Sequence, residues 1–145
     1  MAKSKLSILC YHGVLSEVPT GYNSSGKHIS EEDFDKQMSF LSNNFEIITM
    51  ADVEKYAQGV ATLPSNCAAI TFDDGFLNNL EFAHPILLKY GITATLYVAT
   101  NFISGSALIW TDELERIILE SPLQTPDYTC LKSGTLLDFS SIASK

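Results

Sequence analysis

Basic residues are scarce in this 145-residue chain. Nine Lys and Arg stand against 17 Asp and Glu, leaving a formal net charge of −8. Binding along a phosphate backbone needs clustered Lys and Arg, so this balance excludes an extended nucleic-acid interface. The acid excess reads as a solvated surface. Cysteine is sparse too. Cys10, Cys67 and Cys130 are far apart and odd in number, which excludes a CxxC metal or redox pair and a disulfide framework. Cys10 and Cys67 sit in apolar runs and are expected as small buried hydrophobes. Long apolar runs are missing. The run from Leu6 to Cys10 follows Lys3 and Lys5 and is broken by Tyr11-His12-Gly13, too short for a signal-peptide core or a membrane span. The expectation is no transmembrane segment, no export signal and a cytoplasmic location by default.

What is present suits one folded domain. Hydrophobic residues make up 46 % of the chain, enough for a sizeable core. Leu6–Tyr11 has the length of a buried parallel strand. The Gly, Ser and Asn-rich stretch from Gly13 to His28 reads as a long loop, and His28 as a loop residue. Ser30 is a good N-cap, followed by Glu31, Glu32 and Asp33 in the first helical turn and by Phe34, Met38 and Leu41 at helical spacing. Phe45–Thr49 reads as a short strand, Ala51–Gln58 as a helix stopped by Gly59, and Cys67–Phe72 as the next buried strand. A helix from Leu77 or Asn78 to Tyr90 ends at Gly91, and Thr93–Ala99 is a strand. This strand, helix, strand unit favours parallel pairing. Thr111 is placed to cap an amphipathic helix over Asp112–Glu120, with Leu114, Ile117 and Ile118 inward. The order is α/β. Residues 1–120 form the domain portion, and the Ser/Thr-rich stretch 121–145 reads as an irregular tail or the start of an insertion.

The sharpest feature is Thr71-Phe72-Asp73-Asp74-Gly75, at the end of a strand. Ligands of open α/β sheets bind beyond the C-terminal strand ends. Two adjacent carboxylates repel each other, and a regular strand points them to opposite faces. Gly75 permits a sharp turn that lets both lean into one site. A divalent metal on one Asp, with the other as general base, resolves the repulsion and lowers the pKa of a bound water. The bland alternative is an Asp-Asp-Gly turn without chemistry. Phosphatases with an alternating Asp-x-Asp after their first strand do not fit, because these acids are adjacent and follow a later strand. Receiver domains do not fit either, since Tyr11-His12-Gly13 stands where they need an acidic pair.

With these residues in hand, the sequence resembles the polysaccharide deacetylase (NodB-homology) family. Thr71-Phe72-Asp73-Asp74-Gly75 matches that family's TFDDG motif. Leu9-Cys10-Tyr11-His12-Gly13-Val14 resembles the first strand of one branch, His28–Phe40 (HISEEDFDKQMSF) its following helix, and Pro85–Val98 (PILLKYGITATLYV) the segment after the motif. Leu108-Ile109-Trp110 also fits. The resemblance covers about Ser7 to Glu120. It implies an α/β fold of a partial, distorted (β/α) barrel, about the first half of the barrel. It also implies metal-dependent hydrolysis of N-acetyl groups on an amino-sugar polysaccharide. By position, Asp73 would be the general base and Asp74 a ligand for a divalent metal, zinc by the family's habit. His12 would lie at the site mouth, and Tyr11 and Trp110 would line a sugar-binding surface or belong to the core.

The departures shape the expectation. The family's His-x-x-x-His motif supplies two further metal ligands, and no pair among His12, His28 and His84 has that spacing. His84 is expected on a helix surface or in packing. A catalytic zinc site usually takes three protein ligands and a water, so metal binding by this chain alone should be weak or absent. The chain is therefore expected to be a truncated or partial domain, inactive alone and prone to self-association through an exposed sheet edge. The alternative is a non-catalytic glycan-binding or protein-interaction module.

Overall fold

The computed structural model describes residues 5–18, 23, 26–105 and 109–120. Its centre is a parallel sheet. Strand β1 (Lys5–Tyr11) runs along one edge of β5 (Asn66–Phe72) in unbroken register from Lys5↔Asn66 to Tyr11↔Phe72. The other edge of β5 is shared. Strand β4 (Glu46–Ile47) pairs with Cys67 and Ala68, and β6 (Ala94–Leu96) pairs with Ile70 to Phe72. Strands β2 (Gly13–Leu15) and β3 (His28–Ser30) form a separate parallel pair.

The helices form where the sequence caps them. In α1 (Glu31–Asn44), Ser30 accepts a hydrogen bond from the Asp33 N–H at 3.1 Å, and three acids lie in the first turn. Helix α2 (Met50–Ala57) starts with a capping box in which Thr49 and Asp52 satisfy each other's backbone N–H. After β5 the chain makes a π-helical turn, Asn79–Ala83, that runs into α3 (His84–Tyr90). Pro85 has no N–H with which to close an α-helical bond to Glu81, and wider bonding, from the His84 N–H to the Asn79 carbonyl, appears just before it. Gly91, at φ 64°, ends α3 in the left-handed conformation. Helices α4 (Thr100–Ile103) and α5 (Trp110–Glu120) complete the described chain.

The strand period of two divides the core. On one side, Ala68, Ile70 and Phe72 meet Phe34, Met38 and Leu41 of α1 and Ile86 and Leu87 of α3, with Leu9 and Tyr11 at the margin. On the other, Cys67 and Ala69 meet Ile48 and Leu63, joined by Leu6, Met50 and Val53. Both sides of β5 are closed, and six of its seven residues are buried.

Several expectations change. β1 is parallel but not buried: Ile8 is 49 % exposed and Cys10 is exposed, because no strand lies on the outer edge of β1 among the described residues. Cys67 is buried as expected, while Cys130 lies outside the described residues. The stretch expected as loop begins with β2, and His28 opens β3. α5 begins at Trp110, and Leu114 and Ile117 are exposed rather than inward, since an amphipathic stripe is buried only where an element packs on it. Helix α4 was not expected. The four main strands make an open parallel α/β sheet among the described residues, and the stretch 121–145 lies outside them.

Candidate active site

The register carries the C-terminal ends of β1 and β5 to the same level. Beyond it, the Asp73 N–H donates to the Tyr11 carbonyl at 2.9 Å, so the pairing continues one residue past the last ladder position. The turn then takes an uncommon form. Asp74 has φ 72° and Gly75 φ 86°, two successive left-handed residues. Asp tolerates this region better than most side chains. At Gly75 the conformation and the space both require glycine: an added Cβ would lie 2.5 Å from Val98 Cγ1. The turn is held from behind by the Ala99 N–H, which donates to the Asp74 carbonyl at 3.1 Å. Both carboxylates are half-buried. The left-handed Asp74 breaks the strand alternation that would otherwise send the two acids to opposite faces.

Cys10 is the side chain that sequence reasoning missed. Its thiol donates to Asp73 Oδ2 at 3.4 Å. Partial burial of the sulfur, and then this hydrogen bond to the carboxylate, push the thiol pKa up, so it keeps the proton it donates. An apolar neighbourhood suggested a buried hydrophobe. The signal to the contrary lay in strand pairing, which sets Cys10 opposite Thr71, two residues before Asp73 on the same face.

The remaining predicted residues are dispersed. His12 directly follows β1 and is half-buried, its carbonyl accepting from Asn79 Nδ2 at 2.8 Å. Tyr11 takes the core alternative. Its ring packs edge-on to Phe34 at 5.1 Å and beside Phe72 at 5.5 Å, its hydroxyl donates to Gln37 at 2.6 Å, and burial pushes its phenol up to about 12. Trp110 is 74 % exposed at the start of α5. Lys27 bonds Thr111 at 2.6 Å and pairs with Asp112, which ties that end of α5 to the residue before β3. His28 packs edge-on to Phe76 at 5.5 Å, and burial lowers its pKa. His84 is exposed at the head of α3, as expected of a helix-surface residue.

The donor set can be weighed against a metal. No group of three or more His, Cys, Asp and Glu side chains converges in a way that could hold an ion among the described residues. Asp73 and Asp74 supply adjacent carboxylates without a third ligand, and a catalytic zinc centre needs three. The described residues do not fit a complete metal site. They do fit a half-buried acid pair at a strand end, with one carboxylate accepting a hydrogen bond from a neighbouring thiol.

Fold and site together define a parallel α/β domain with an acid pair beyond a C-terminal strand end, where such sheets bind ligands. Residues 61–121, less than half of the chain, match the family model for polysaccharide deacetylase. The chain is 29 % identical over 96 residues to YxkH of Bacillus subtilis, whose name places it provisionally among the polysaccharide deacetylases. That match covers 66 % of this chain and 32 % of YxkH. Among solved structures, IcaB from Ammonifex degensii is 31 % identical with a TM-score of 0.57, over 66 % of this chain and 39 % of that one. The Streptococcus pyogenes deacetylase PplD, solved in complex with acetate, is 24 % identical with a TM-score of 0.60, over 76 % of this chain and 50 % of its own, and shows the likeness of fold. The chain thus spans about a third of the length of the curated relative and half or less of these two solved chains.

Proposed function

We propose that this chain is the water-activating part of a hydrolase that removes N-acetyl groups from an amino-sugar polysaccharide. The observation that supports the reading is the left-handed turn at Asp74 and Gly75 directly after β5, within the stretch that matches the deacetylase family model. Asp73 is the general base. Its Oδ2 accepts from the Cys10 thiol, which leaves Oδ1 to take a proton from the attacking water. Asp74 offers one carboxylate ligand to a divalent metal, zinc by family habit. His12, beyond β1, and the exposed Trp110 ring are the proposed sugar contacts, the indole by stacking. Tyr11 supports the site from the core side.

Because the described residues supply too few ligands, the chain by itself binds zinc weakly and has little or no deacetylase activity. The edge of β1, unpaired among the described residues, supports self-association as its physical consequence. Zinc and cobalt calorimetry on the full chain and on Asp74→Ala tests this, alongside acetate release from N-acetylated amino-sugar oligomers. The expected result is no binding above that of the variant and no acetate. Tight binding lost in Asp74→Ala, with acetate release lost in Asp73→Asn, would establish the chemistry and overturn the inactivity. Oligomer binding that is indifferent to Asp74→Ala would favour a glycan-binding module instead.

A further inference from the structure

We infer that Asn79 is the positioning residue that ties the backbone at His12 to the segment carrying the Asp73–Asp74 turn. This deepens the reading above and rests on it for the meaning of the site, though not for the geometry. Asn79 is 8 % exposed and lies four residues beyond Gly75, in the π-helical turn. Its side-chain N–H donates to the His12 carbonyl at 2.8 Å across 67 residues of sequence. One residue earlier, the Tyr11 carbonyl accepts from the Asp73 N–H at 2.9 Å. Two successive carbonyls at the end of β1 are therefore tied to the segment that carries the acids, one by backbone and one by Asn79. Alternation along an extended chain puts residue 12 on the side of Cys10, whose thiol touches Asp73.

The environment shows that this tie is kept at a cost. The Oδ1 of Asn79 is buried without a partner among the described residues, as are Asn78 Oδ1 and His28 Nδ1. A buried acceptor left unpaired is destabilising, and such groups concentrate where a structure serves something besides its own stability. Around the His12–Gly13 peptide the packing is tight as well. A Cβ on Gly13 would lie 2.4 Å from His28 Nδ1 and 3.0 Å from Asn78 Nδ2. The His12 carbonyl is thus held by the Asn79 carboxamide while the next residue, Gly13, lies close to the His28 and Asn78 side chains, and the wide π turn places Asn79 to reach the carbonyl.

The experiment uses the isotope-labelled full chain and the carbonyl-carbon NMR shift of His12, which moves upfield when that carbonyl loses a hydrogen bond, with wild type measured at each pH as the reference. Asn79→Ala should show the upfield shift at every pH, with the amide shifts of β5 and α1 unchanged. Asn79→Asp is the discriminating variant. With its carboxylate ionised it cannot donate, and the His12 carbonyl stays at the upfield value. In acid the carboxyl takes up a proton, donates to the His12 carbonyl and restores the wild-type shift. A role limited to filling space would show no such recovery. If Asn79→Ala does not fold, Asn79→Leu, which also lacks a donor, serves in its place. An unchanged His12 carbonyl shift in a folded Ala or Leu variant overturns the proposal, as does the absence of acid recovery in Asn79→Asp. No turnover is involved, so these outcomes stand apart from acetate release, on which the deacetylase reading stands or falls.

Discussion

Gly75→Ala is the substitution whose cost can be worked most directly from the geometry. Residue 75 has φ 86°, and a Cβ there meets Val98 Cγ1 at 2.5 Å and Ile103 Cδ1 at 3.3 Å. Two terms add. Placing an L-residue in the left-handed region costs about 1–2 kcal/mol, and forcing a methyl into filled space costs roughly 1–3 kcal/mol. The total is about 2–5 kcal/mol, a large part of the roughly 5–15 kcal/mol stability of a typical domain. Gly59→Ala is the matched control. Gly59 has φ 73° with nothing within 4 Å of its virtual Cβ, so only the backbone term applies. Urea unfolding of the two variants, followed by circular dichroism, isolates the contact by difference. The double variant Gly75→Ala/Val98→Ala should recover most of that difference, because Val98 is 44 % exposed and its own loss costs little. If Gly75→Ala is no more destabilising than Gly59→Ala, the packing of the 96–103 segment against the acid turn is not as described, and the argument for the turn's geometry fails.

Further outcomes follow from the core, the caps and the titrating groups. Phe34 is fully buried between α1 and the sheet, so Phe34→Ala should cost about 3–5 kcal/mol in urea unfolding, while the exposed Phe40→Ala should cost far less. Ser30→Ala removes the N-cap of α1 and should cost about 1 kcal/mol, with Ser30→Asp retaining most of the stability. Tyr11 keeps its proton up to about 12 in the folded chain, against 10 for the ordinary phenol, because burial opposes the charged form. Its contribution is fully present below pH 10 and is lost as pH rises from 10 towards 12, where the unfolded chain ionises first. Unfolding at pH 9 and pH 11 should show a smaller alkaline loss for Tyr11→Phe than for wild type, and equal losses would contradict the buried placement of the ring.

Local signals in the sequence determined most elements of the central fold. The Ser30 cap with its acidic first turn, the Phe34, Met38, Leu41 spacing and the Gly91 stop each act within a few residues, and each is found as read. The acid pair was legible for the same reason, since an Asp-Asp-Gly at the end of an apolar strand is a short-range pattern. Tertiary structure alone decided the rest. Whether β1 is buried depends on what stands on its outer edge, and the fate of Leu114 and Ile117 depends on what packs over α5; neither is written in a local period. Cys10 becomes a hydrogen-bond donor to Asp73 only because β1 and β5 pair in one particular register across some 60 residues. The bond from Asn79 to His12 needs that register together with the π turn before Pro85. Contacts between distant segments are set by how strands choose neighbours, and a single sequence carries that choice only through the sum of its packing energies, not through any motif.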